Sequence, residues 1–157
     1  MNPPPSQEFV ERMGSALTQA GLPRVPSLVF SALLVDDDGR MTATELADAL
    51  DLSAGSISGA VRYLEQVGMA RRERERGSRR DVYVVDEDAW HGAMMRRDQL
   101  YAPMVAALTR GLATLGVDSP AHRRLVLTRE FLTFVDAEMT SLADRWEKRR
   151  AEFVATL

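Results

Sequence analysis

The chain has 157 residues, 45% of them hydrophobic and 27% charged, which suits one good core, or one small domain plus an oligomerisation element, in a soluble globular protein. It holds no cysteine, which excludes disulfides, thiolate nucleophiles and zinc–thiolate sites and fits a reducing cytoplasm. A formal net charge of −3 excludes a uniformly basic protein, yet from Arg71 to Arg80 six arginines meet only Glu73 and Glu75, so an acidic body carries one basic projection.

Met1-Asn2-Pro3-Pro4-Pro5 has neither the basic nor the apolar segment of a signal peptide, and no window approaches the roughly 18 apolar residues of a membrane span. The prolines read as an extended lead, with Ser6 as the cap of a first helix. Phe9, Met13, Leu17 and Ala20 recur at helical spacing, and Gly21 closes the helix. Leu22-Pro23-Arg24-Val25-Pro26 reads as a linker, followed by a mostly buried helix carrying Leu28, Val29, Ala32, Leu33 and Val35. Asp36-Asp37-Asp38-Gly39 ends it. These acids lack the alternation of a calcium loop, whose first ligand position would fall on Leu34, so the stretch reads as a plain turn.

Arg40 and Met41 allow a very short strand. Thr42-Ala43-Thr44-Glu45 matches a capping box and opens a helix through Leu50. Asp51-Leu52 is a tight turn, and Ser53 caps a helix to about Val67 with Ile57, Ala60, Val61 and Leu64 on its inner side. Gly68 stops it. Met69 to Glu73 and Asp81 to Val85 read as strands, the second half-buried by alternation, around a polar tip that bends at Gly77. Asp86 is placed to cap a helical stretch bearing Trp90, Met94, Tyr101, Val105, Leu108, Leu112 and Leu115, which Pro103 should kink or break before Gly116 closes it. Ser119-Pro120 starts a last helix, where Leu125, Thr128, Leu132, Val135, Met139, Leu142, Trp146, Arg149, Phe153 and Leu157 step by four and three.

The expected fold is mainly α with a small β-hairpin: a winged helix-turn-helix over 24–86 and a helical dimerisation region from 1–23 and 87–157. Leu46, Leu50 and Leu52 supply the core between the two short helices, and Ala47 is small where they cross. The outer face of the second helix carries Ser53, Ala54, Gly55, Ser56, Ser58, Gly59 and Arg62, with Tyr63 at its flank. Two glycines weaken a helix by about 1 kcal/mol each, but small residues let its backbone approach another surface. Serine hydroxyls and first-turn amides can bond phosphates or base edges, and arginine can hold a guanine or a phosphate. Thr42 and the tip arginines Arg74, Arg76, Arg79 and Arg80 complete the candidate DNA contacts, the tip suiting a minor groove.

The order of elements, Leu46-Ala47 and Ser56-Ile57-Ser58 in the helix pair, Arg62-Tyr63-Leu64-Glu65 after them, and Arg79-Arg80-Asp81 in the wing resemble the MarR family of regulators. Phe9-Val10-Glu11-Arg12 followed by Ala20-Gly21-Leu22-Pro23-Arg24 is similar to its GbsR-like branch. The similarity spans about residues 8–150 and is strongest over 42–85. The resemblance implies a dimer held by amino- and carboxy-terminal helices, and repression relieved by a small molecule.

Apolar stripes on the first and last helices independently call for pairing, which would cover them with two-fold symmetry. The dimer residues are then Leu112, Leu132, Val135, Met139, Leu142, Trp146 and Phe153, and the partner is double-stranded DNA with a pseudo-palindromic operator. Phe9, Met13, Phe30, Trp90, His91, Met94, Met95 and Tyr101 are candidates for an effector cleft or simply for core. An aromatic cleft would hold an apolar acid or a quaternary amine. With only His91 and His122, no phosphate loop and no ligand spacing, neither an enzyme, a cofactor nor a metal is expected. A winged-helix adaptor that binds another protein instead of specific DNA stays as the alternative.

Overall fold

A computed structural model describes residues 5–75, 77, 80–95 and 98–157. In chain order these form α1 (Pro5–Gln19), α2 (Arg24–Val35), β1 (Arg40–Thr42), α3 (Ala43–Leu50), α4 (Ala54–Val67), β2 (Arg71–Arg74), β3 (Asp81–Val84), α5 (Ala89–Met95), α6 (Asp98–Leu112) and α7 (Pro120–Val154). The chain divides into two compact units, Met1–Gly92 and Ala93–Leu157. Helix α1, expected with the carboxy-terminal helices, therefore falls in the same unit as the winged helix.

In the first unit α1 and α2 pack as a hairpin. A Cβ at Gly14 would stand 2.7 Å from Leu28 Cδ2, so the helices cross closely at this glycine. That crossing turns Val10, Gly14 and Leu17 inward and leaves Phe9 exposed and Met13 half-buried, a rotation from the face the apolar spacing suggested. Ser6 lies inside α1 rather than capping it, and the linker is shorter than expected because α2 begins at Arg24. Pro26 sits in the first turn of α2, where a missing amide donor costs nothing. Ser27 and Ser31 are fully buried, and their hydroxyls donate to the carbonyls of Pro23 (2.8 Å) and Ser27 (2.7 Å). Val29, Phe30 and Leu33 of α2 join Leu46 of α3 and Ile57, Val61 and Leu64 of α4 in the core. Each contributes about 1.5–3 kcal/mol by leaving water.

The helix pair is held by local chemistry. The Thr42 hydroxyl accepts the Glu45 amide at 3.2 Å while Glu45 Oε2 accepts the Thr42 amide at 2.7 Å, the expected capping box. Asp51 closes α3 at φ 51°, the one non-glycine residue with positive φ among those described. Aspartate tolerates this left-handed turn where most side chains would strain it. Asp36 Oδ1 accepts the amides of Asp38 (3.2 Å) and Arg40 (3.0 Å), which makes the acidic stretch a turn.

The sheet is antiparallel in the order β1–β3–β2, with Tyr83 opposite both Met41 and Arg72. Strand β3 is central, and Val82, Tyr83 and Val84 are all buried rather than alternating. Asp86 does not cap α5 with its side chain, because that carboxylate is engaged by Arg71.

In the second unit α6 packs on α7, and a Cβ at Gly111 would lie 3.2 Å from Leu125 Cδ2. Helix α6 runs through Pro103 without ending there; the proline removes one amide donor from the ladder. Ser119 Oγ accepts the His122 amide at 3.1 Å and Pro120 opens α7, as expected. At 35 residues α7 is about 52 Å long.

Candidate nucleic-acid interface

Helix α4 separates its faces cleanly. Ile57, Ala60, Val61 and Leu64 are buried, whereas Ser53, Ala54, Gly55, Ser56, Ser58, Gly59 and Arg62 are exposed and Tyr63 is half-buried at the flank. Ser53 Oγ accepts the Ser56 amide at 3.2 Å and lies 2.9 Å from the Ser56 hydroxyl. The first-turn amides of Ala54 and Gly55 have no intrahelical acceptor. A Cβ at Gly55 would meet only Ser53 Oγ, at 3.9 Å, and one at Gly59 nothing within 4 Å. Among the described residues nothing requires either glycine, and the cost of keeping them in a helix points outward. The hydroxyl of Thr42, a candidate contact, is occupied by the capping box.

The basic run is less uniform than its sequence suggests. Arg71 lies along Asp86, with Nη2 2.9 Å and Nε 3.1 Å from Oδ1, and also pairs with Glu73. Arg40 reaches Glu73 at 2.8 Å. Arg72 bonds Glu65 of α4 at 3.2 Å, approaches Asp81 at 3.5 Å and covers the Tyr83 ring from 5.8 Å. The hydrogen bond and charge of Glu65 raise the Arg72 guanidinium above its ordinary pKa. Arg71 and Arg72 thus frame the wing, and the exposed Arg74 and Arg80 flank its tip. Arg76 and Arg79 lie outside the described residues. The carboxyl of Glu45 is held below its ordinary pKa, first by the Thr42 amide, then by the Thr42 hydroxyl, with the charge of Arg80 acting in the same direction. Glu65 and Asp86 were missed as framework residues. Counting the hairpin outward from the midpoint between positions 77 and 78 sets Arg72 opposite Tyr83, but no local signal pairs Arg71 with Asp86.

Of the residues expected at an effector cleft, Phe9, Met13, Phe30, Trp90 and His91 lie in the first unit. Phe30 has no exposed surface and packs edge-on against Trp90, with ring centroids 5.6 Å apart, so it is part of the α2 core. Phe9 and Trp90 are exposed, Met13 and His91 half-buried, and His91 Nδ1 stands 3.9 Å from Asp88 Oδ2. Tyr101 belongs to the second unit. The side chains of Met94 and Met95 lie outside the described residues.

Of the expected dimer residues, Leu142, Trp146 and Phe153 are exposed, Leu112, Val135 and Met139 are half-buried, and Leu132 is already buried within the protomer. Three exposed apolar groups on α7 were not singled out: Leu127, Phe131 and Phe134 are 59%, 63% and 62% exposed and fall on one face.

Known proteins share these features. A family profile described as MarR family matches residues 20–81, and one described as MmpR5-like MarR family transcriptional regulator matches residues 88–149. The HTH-type transcriptional regulator MmpR5 of Mycobacterium tuberculosis is 32% identical over 151 residues, 95% of this chain and 91% of that protein. The putative HTH-type transcriptional regulator YvaV of Bacillus subtilis is 25% identical over 136 residues, 87% and 70% of the two chains. The crystal structure of a transcriptional regulator matches with a TM-score of 0.81 at 31% identity, covering 92% of this chain and 99% of that one. Among the described residues no helix is long and apolar enough to cross a membrane. With this fold, this interface and these relatives, the chain belongs to the MarR family and is a DNA-binding transcription regulator.

Proposed function

We propose that the chain works in the cytoplasm as a homodimeric repressor, reading a pseudo-palindromic operator and released from it by a small-molecule effector. The observation that carries this reading is the exposed face of α4, where Gly55, Ser56, Ser58, Gly59 and Arg62 leave a slim surface beside a wing whose tip carries Arg74 and Arg80. Small side chains bring the helix backbone close to base edges, while the arginines neutralise phosphates or enter the adjacent minor groove. The apolar face of α7, with Phe131 and Phe134, supports pairing of two copies. Two copies related by a two-fold axis would meet half-sites about one duplex turn apart. Membership of a regulator family favours DNA over the adaptor reading. The Phe9–Arg12 and Ala20–Arg24 segments support placing the chain in the GbsR-like branch.

The test is a mobility shift on a duplex chosen by selection with the purified chain. Arg62→Ala combined with Arg74→Ala should weaken binding and flatten its salt dependence, by roughly 0.9 in slope for each phosphate no longer neutralised. Unchanged binding would remove this face from the mechanism.

A further inference from the structure

Within the first unit α1, α2 and the end of α3 enclose an open groove of about 1000 Å³, the size of a pocket for a drug-sized ligand. The hairpin is antiparallel, and Gly14 against Leu28 puts Gln7 level with Val35 and Thr18 level with Arg24; all six line the groove. Gly14 lets Leu28 close against α1, and Val10, Leu28, Ala32, Met41 and Leu50 make the lining between the helices apolar. The charged lining is nearly of one sign: Glu11, Asp36, Asp37 and Asp51 against Arg24. Glu11 and Asp37 are both exposed.

An apolar floor beneath carboxylates complements an organic cation with an apolar tail. An anionic amphiphile would meet like charge there, which disfavours it. We propose that this groove binds cationic amphiphiles, and that the effector acts here; the second statement rests on the repressor reading above. The groove gives binding a route to the DNA face. Its wall includes Leu50 and Asp51, and Asp51 holds the left-handed turn between α3 and α4. A tail that touches both the α1–α2 hairpin and the end of α3 therefore favours one setting of that turn over others. This location differs from the aromatic positions that the sequence offered, none of which lines the groove.

The test is calorimetry on the full chain with decyltrimethylammonium below its micelle concentration, against decanoate as the anion of equal tail length. One cation should bind per chain, with decanoate at least about tenfold weaker. Glu11→Gln combined with Asp37→Asn should weaken the cation by at least about tenfold, while Asp144→Asn combined with Glu152→Gln on α7 should leave it unchanged. Circular dichroism checks that both variants fold. Equal affinity for the two amphiphiles, or equal weakening in the two double variants, would overturn the site. Release from DNA is read separately by mobility shift. Groove binding without release would overturn the effector role alone. No groove binding, in a chain whose DNA complex other small molecules dissolve, would overturn the groove and leave the repressor reading intact.

Discussion

Arg72 Nη2 on β2 lies 3.2 Å from Glu65 Oε2 on α4, so one hydrogen-bonded pair ties the wing to the helix beside it. Both side chains are partly exposed, and water screens the pair to about 0.2–1 kcal/mol. A double-mutant cycle with Arg72→Gln and Glu65→Gln, read by urea unfolding, should return a coupling in that range. Because Arg72 is engaged within the protomer, Arg72→Gln should leave the salt slope of DNA binding unchanged, whereas Arg62→Ala should lower it by about 0.9. A drop for Arg72→Gln would make that residue a phosphate contact.

Gly55→Ala and Gly59→Ala separate stability from function. There is open space for a methyl group at both positions, so each change should stabilise the protein by about 0.5–1 kcal/mol. Each should also weaken DNA binding, by holding the helix backbone away from the duplex. Thermal unfolding and mobility shift on the same variants decide the matter. Tighter or equal DNA binding in both would show that the glycines serve no close approach.

The capping box carries a pH signature. The Glu45 carboxyl titrates below its ordinary value of 4.5 in the folded chain. Its contribution to stability is therefore complete above that value and is lost as pH falls through the lowered folded value. Glu45→Gln should be less stable than wild type at neutral pH, and the gap should close on acidification. Thr42→Ala should cost about 1 kcal/mol. A gap for Glu45→Gln that stays constant under urea unfolding from about pH 7 to about pH 3 would contradict the assignment.

Two changes on neighbouring positions of α7 should behave differently. Phe131→Asp combined with Phe134→Asp places charge on an exposed apolar face and should lower the mass in sedimentation while helix content is kept. Leu132→Ala removes a side chain buried within the protomer and should destabilise the fold by about 2–5 kcal/mol. A wild-type chain that sediments as a monomer at micromolar concentration would end the pairing argument.

What the sequence determined by itself is the set of features built from neighbours. The Thr42–Glu45 box, the Ser53 and Ser119 caps, the turn at Asp51 and the stop at Gly68 each depend on groups within about four residues, so composition and spacing suffice to read them. The inner and outer faces of α4 were legible for the same reason, since a helix repeats its faces every 3.6 residues. Partners distant in sequence were not legible. Only the folded chain gave Asp86 to Arg71 instead of to its own helix, paired β1 with β3 so that β3 became the central strand, and neutralised two arginines of the wing. It also turned α1 about Gly14, and chose which apolar stripe of α7 is left uncovered within one chain. Periodicity names a face, but what covers that face depends on which surfaces fit together at close range, and that is decided by packing across the whole unit.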